Sequence, residues 1–105
     1  MNTEKYIPTT VFHPGETLSE KIEEMGMTRD ELSKQTEIPL SVIDDIMDGH
    51  YSISADMALA FEQVTAIPAK YWIKAQHCYD DYILQNKANT YKSRLNFFRR
   101  VAAVL

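Results

Sequence analysis

Three histidines (His13, His50, His77), a lone Cys78, the pair Asp80 and Asp81, and the trio Asp44, Asp45 and Asp48 are the residues able to bind metal, attack an electrophile or move protons. Their spacing supports none of these. A metal site needs several His, Cys or carboxylate ligands converging on one point, whereas these histidines are scattered. Adjacent His77 and Cys78 point about 100° apart on a helix. Cys78 alone makes neither a CxxC clamp nor an intramolecular disulfide, and is expected as a small buried hydrophobe. Asp80 and Asp81 also diverge around a helix, which makes a poor acid–base dyad. With no glycine cluster to cradle a phosphate, the expectation is a protein without catalysis, metal or cofactor.

Asp44, Asp45 and Asp48 admit other uses: a carboxylate can accept from cytosine N4 or face a basic partner, or the three can be a solvated helix face. Charge is unevenly divided. Residues 1–53 hold 4 Lys/Arg against 11 Asp/Glu and residues 54–105 hold 7 against 4, within a net charge of -4. An acidic front and a basic tail suggest surfaces for different partners.

The elements that must position these residues read as helices. Pro8 and Pro14 bracket β-compatible residues in an extended arm over 1–14. Leu18, Ile22 and Met25 then give helix 1 one apolar face, ending at Gly26. Thr28-Arg29-Asp30-Glu31 is a capping box that starts helix 2, and Pro39 ends it after about two turns. Pro39 suits the first turn of helix 3, whose apolar side is Val42 or Ile43, Ile46 and Met47 before Gly49. Two short helices with this joint have helix-turn-helix spacing. Glu37 occupies the turn, although Gly, Asn and Asp tolerate a left-handed conformation better.

Ser54 or Asp56 caps helix 4, with Met57, Phe61 and Val64 at helical intervals before Ile67-Pro68. Helix 5 starts near Pro68 or Ala69 and carries a broad apolar stripe through Trp72, Ala75, Tyr79 and Tyr82. The polar stretch 85–90 reads as a linker or frayed end. Leu95, Phe98, Ala102 and Leu105, bordered by Arg94, Arg99 and Arg100, then form a sixth amphipathic helix. That basic stripe has three candidate roles: packing on the domain, completing a dimer, or gripping phosphates or an acidic protein. The breadth of the helix 5 stripe makes Trp72, Tyr79 and Tyr82 candidates for a homodimer interface.

At 105 residues, with 45% hydrophobic and 25% charged residues, the chain has the length and composition of one soluble globular domain. Few glycines and prolines favour helices over the many turns of an all-β fold. No apolar run reaches the roughly 18 residues that span a bilayer, and a cytoplasmic protein with no membrane association is expected, in keeping with its single cysteine. The expected organisation is an arm over 1–14, a helix-turn-helix domain over 15–84, and a linker with a C-terminal helix over 85–105.

The order of motifs is specific. His13-Pro14-Gly15-Glu16 opens helix 1, Thr28 to Ser33 opens helix 2, and Ile43-Asp44-Asp45-Ile46-Met47-Asp48-Gly49 closes helix 3. Ile53-Ser54-Ala55-Asp56 and Tyr71-Trp72-Ile73-Lys74-Ala75-Gln76 follow. Over about residues 7 to 82 this series resembles HigA-type antitoxins of the XRE-like helix-turn-helix group. The resemblance implies an all-α fold of five to six helices, a homodimer that binds its own promoter DNA as a repressor, and a HigB-like toxin as partner. It also implies DNA contacts from Thr28 and Arg29 to phosphate, from Leu40, Ser41, Val42, Asp44 and Asp45 on the recognition helix, and from His50 and Tyr51 after it. The alternative is a protein-interaction module that keeps the scaffold without DNA recognition, which the acidic front half favours.

Overall fold

Most of the helices begin where a side chain can satisfy the amide groups that a first turn leaves without partners. His13 Nδ1 accepts from Gly15 N–H at 2.9 Å and opens α1 (Pro14–Glu24). The Thr28–Glu31 capping box opens α2 (Arg29–Thr36). Pro39 precedes α3 (Leu40–Met47) and lends its carbonyl to the amides of Val42 and Ile43. Ser54 Oγ accepts from Met57 N–H and opens α4 (Ala55–Thr65). The last helix, α5, runs Ala69–Val104. This computed structural model describes residues 11–104, so 1–10 of the expected arm lie outside the described residues.

Leu18 and Ile22 of α1, Leu32 of α2, Ile43 and Ile46 of α3, Phe61 of α4 and Trp72 of α5 meet in one apolar core. Met25, expected on the buried face of α1, is instead its C-cap and lies exposed. Trp72 is fully buried, with its ring edge-to-face on Phe61 at 5.7 Å. Gln76 is the polar tie across this core: its side-chain oxygen accepts from Ile53 N–H at 2.8 Å, and its amide nitrogen donates to Asp80 at 3.0 Å. It thereby fixes the loop between α3 and α4 to α5.

Two turns between helices use left-handed residues that are not glycine, Glu37 at φ 61° and Ala66 at φ 65°. Such a conformation costs an L residue roughly 1–2 kcal/mol. At the first turn, Thr36 Oγ1 accepts from Ile38 N–H and Ser33 Oγ donates to the Ile38 carbonyl. These bonds offset the strain of Glu37 and hold α3 at its angle to α2.

Two further expectations fail. The anticipated break between a fifth and sixth helix is absent, because α5 continues through 85–90. Polarity does not stop a helix; Pro and Gly do, and neither occurs between 69 and 104. Cys78, expected to be buried, is exposed. The face of α5 that enters the core carries Ala69, Trp72 and Gln76, and Cys78 lies about 200° around the helix from Gln76.

A close approach of backbones joins α1 to α3. A Cβ on Gly15 would lie 1.9 Å from the Ile46 carbonyl oxygen. Gly15→Ala is therefore expected to cost about 3 kcal/mol or more. Gly26→Ala, at φ +71° in open space, is expected to cost only about 1 kcal/mol. Urea unfolding of both variants checks the difference, and equal losses would show that the α1–α3 contact opens without penalty.

Candidate nucleic-acid interface

The helix-turn-helix is α2 and α3 with the turn at Glu37. Ile43, Ile46 and Met47 bury one side of α3, which leaves Leu40, Ser41, Asp45 and Asp48 exposed and Val42 and Asp44 half-buried. Spacing of four places Asp44 above Leu40 and Asp45 above Ser41 on that outer surface. His50 and Tyr51 are exposed in the turn after α3.

Thr28 and Arg29 stand exposed at the start of α2, yet both are engaged. Thr28 N–H donates to Glu31 Oε1 at 2.8 Å, and its hydroxyl also bonds within the capping box. The Arg29 guanidinium donates to Asp44 Oδ1 at 2.8 Å. Lys34 pairs with Asp30 at 3.2 Å. Both cations between 28 and 51 thus face carboxylates, and six carboxylates occupy the same span. The Arg29–Asp44 pair is half-exposed and worth little to stability. Its consequence is positional: it draws the one arginine of the motif onto the recognition helix.

What holds that helix in place lies outside the motif. His13 is buried where α1 begins, packs against Gly49 after α3, and meets Tyr79 of α5 edge-to-face at 4.9 Å. The His-Pro-Gly sequence carries this role: the imidazole caps, the proline sets the first turn, and the glycine admits the Ile46 carbonyl. The positioning function of His13 and Gly15 escapes a reading of the helix-turn-helix alone, although the motif itself was the visible signal. Gln76 is a similar case within the Tyr71–Gln76 segment.

The three aromatic residues expected at a dimer interface separate. Trp72 has no exposed surface, so it belongs to the core of the domain, where its ring packs against Phe61 of α4. Tyr79 and Tyr82 are half-buried and, with Phe12, His50 and Ile83, line an open groove of about 480 Å³. Among the described residues no three His, Cys, Asp or Glu side chains gather as a metal site, and no helix is long and apolar enough to cross a membrane.

Solved structures share this arrangement. An addiction-module antidote protein of the HigA family from Coxiella burnetii is 28% identical, with 80% of this chain and 92% of that one covered at a TM-score of 0.72. A Pseudomonas aeruginosa protein solved in complex with its operator DNA is 26% identical over 71% of this chain and 82% of its own, at a TM-score of 0.67. The P. aeruginosa antitoxin HigA, solved with the higBA promoter, shares the fold at 24% identity, 82% and 91% coverage and a TM-score of 0.66. No protein-family model matches the chain, and no curated protein matches it significantly.

Fold and motif together define an all-α helix-turn-helix protein. Within that class the chain is similar to the HigA-family antidote protein of Coxiella burnetii.

Burial pushes the His13 imidazole below its ordinary value of 6.5; Asp80, Glu16 and the Tyr51 backbone pull the other way but less. The unfolded chain therefore binds this proton more readily than the native one, and stability falls as the proton is taken up. The contribution is complete above 6.5 and is lost as pH falls from there toward the lowered native value. Thermal melts at about pH 7.5 and about pH 5.5 should show a drop that His13→Asn, which keeps a capping oxygen, makes smaller. An equal drop in the variant would assign the pH dependence to other groups.

Proposed function

We propose that this chain is a HigA-like antitoxin that represses its own operon by binding promoter DNA as a homodimer and neutralises a HigB-like toxin. One observation carries the reading. A capped, strain-held helix-turn-helix presents the outer face of α3, and a 26% identical protein with the same fold was solved on its operator. In this reading Ser41, Asp45 and Leu40, exposed on α3, meet base edges, while the start of α2 and the turn at His50 and Tyr51 meet phosphates. Two copies would set their α3 helices on half-sites about one helical turn apart. The copies are proposed to meet along the groove edge at Phe12, Tyr82 and Ile83.

The acidic surface favours a second reading, a scaffold that binds only proteins. Affinity for DNA comes largely from cations on phosphates, and Arg29 is occupied by Asp44. Titration of the chain on its upstream promoter and on scrambled duplex, at about 50 and about 200 mM salt, separates the two. The promoter reading expects two chains per operator and a preference for it. Asp44→Asn should release Arg29, tighten binding to both duplexes and steepen the salt dependence by about one phosphate contact. Loss of operator preference in Asp44→Asn would make Asp44 a reader of cytosine, while no preference by the wild type at low salt would favour the protein-only module.

Co-expression with the reading frame beside its own gene tests the other half. A compact basic protein is the expected neighbour, suited to the acidic front half. Growth should be restored and a complex recovered; an active neighbouring toxin that is neither bound nor relieved would reject the antitoxin role.

A further inference from the structure

Beyond Ile83, α5 leaves the domain that it helped to build. It packs on α4 and α1, but from Leu84 onward none of its described side chains is buried. A helix of 36 residues is about 54 Å long, and the molecule's longest dimension is 62 Å. The projecting part is an arm rather than a sixth helix folded back.

Six of its apolar residues follow a regular order. Leu84, Ala88, Tyr91, Leu95, Phe98 and Ala102 are spaced alternately by four and three, the seven-residue repeat that keeps one seam turned toward a partner helix. Leu84 and Tyr91 are 66% and 65% exposed, so this seam is uncovered. The positions bordering it are cationic on both sides, with Lys87 and Arg94 along one edge and Lys92 and Arg99 along the other. Outward positions are mostly uncharged, as at Asn86, Asn89, Ser93, Asn96 and Phe97, with Arg100 the exception. No Asp or Glu occurs after Asp81. Cations are therefore concentrated where a coiled coil selects its partner.

That pattern chooses among the possible occupants. In a parallel pair of arms Lys87 would face Lys92 of the other copy and Arg94 would face Arg99; an antiparallel pair also sets cation against cation. A second copy is thus opposed by its own charges. Duplex DNA would neutralise the cations but leave the Leu84–Leu95 seam in water. A helix with an apolar seam and Asp or Glu along its borders meets both needs.

We propose that the arm of α5 is a docking strand for an amphipathic α-helix of another protein, with acidic residues flanking its apolar seam, and that the two form a short two-stranded coiled coil. The proposal is independent of promoter binding, because it uses no residue of α2 or α3. It also assigns the basic tail a partner of opposite charge from that of the acidic front.

The test uses the full chain and two labelled synthetic helices of three heptads, both with leucine seams, one with Glu and the other with Lys at the bordering positions. Fluorescence anisotropy should show the Glu peptide binding at least about tenfold more tightly than the Lys peptide. Exchanging Lys87, Lys92, Arg94 and Arg99 together for Glu should reverse the preference. Leu95→Asp should abolish binding to both peptides, with the unfolding midpoint of the domain unchanged. Equal affinity for the two peptides, or none for either, would overturn the proposal. So would cross-linking of wild-type arms to each other that Leu95→Asp removes, or tighter arm-dependent binding to scrambled duplex DNA that survives Leu95→Asp.

Discussion

The first turn of α1 lies against the end of α3 so closely that Gly15 and the Ile46 carbonyl leave no room for a side chain, and the orientation of the recognition helix follows from that contact. The geometry is also electrostatically favourable. The N-terminus of α1 carries the positive end of its dipole and meets a carbonyl at the negative end of α3. His13, held by the same turn, fills the space beside Gly49 and reaches Tyr79. Three helices thus converge on the opening of α1, and α3 can be exposed along one side without losing its position.

Positioning and affinity are separated in this protein. The Thr28–Glu31 capping box, the Ser33 and Thr36 hydroxyls at the Glu37 turn, and the Gln76 bond to Ile53 build a rigid frame. The outer face of that frame is acidic, and its arginine is turned onto Asp44. Long-range attraction to a polyanion is therefore weak, and under the proposed promoter binding discrimination would fall to short contacts from Ser41, Asp45 and Leu40. The same acidic surface suits a basic protein.

The helical arm extends this division of labour. α5 serves the core through Trp72 and Gln76, borders the groove through Tyr79 and Ile83, and then projects with its cations on either side of an apolar seam. One continuous helix carries three surfaces because nothing in its sequence interrupts the backbone bonds. The rigid continuation gives the basic end a fixed direction relative to the domain, which a flexible linker would not.

Local features were legible in the sequence because the groups that make them lie within a turn of one another. Thr28 and Glu31, Ser54 and Met57, and Gly26 after α1 mark helix ends whatever the rest of the chain does. The order of these signals gave the all-α class and placed α2 and α3. The linker expected over 85–90 failed at this same local level, since polar composition was read as a stop where no helix-breaking residue exists. Other properties belonged to the tertiary structure alone. Arg29 and Asp44 are fifteen residues apart and pair only because the Glu37 turn sets α3 across the start of α2. Trp72 is buried and Cys78 exposed because α4 and α1 cover one side of α5 and not the other. Spacing along a chain fixes which residues share a helix face; which face another helix covers depends on angles set by packing at a distance.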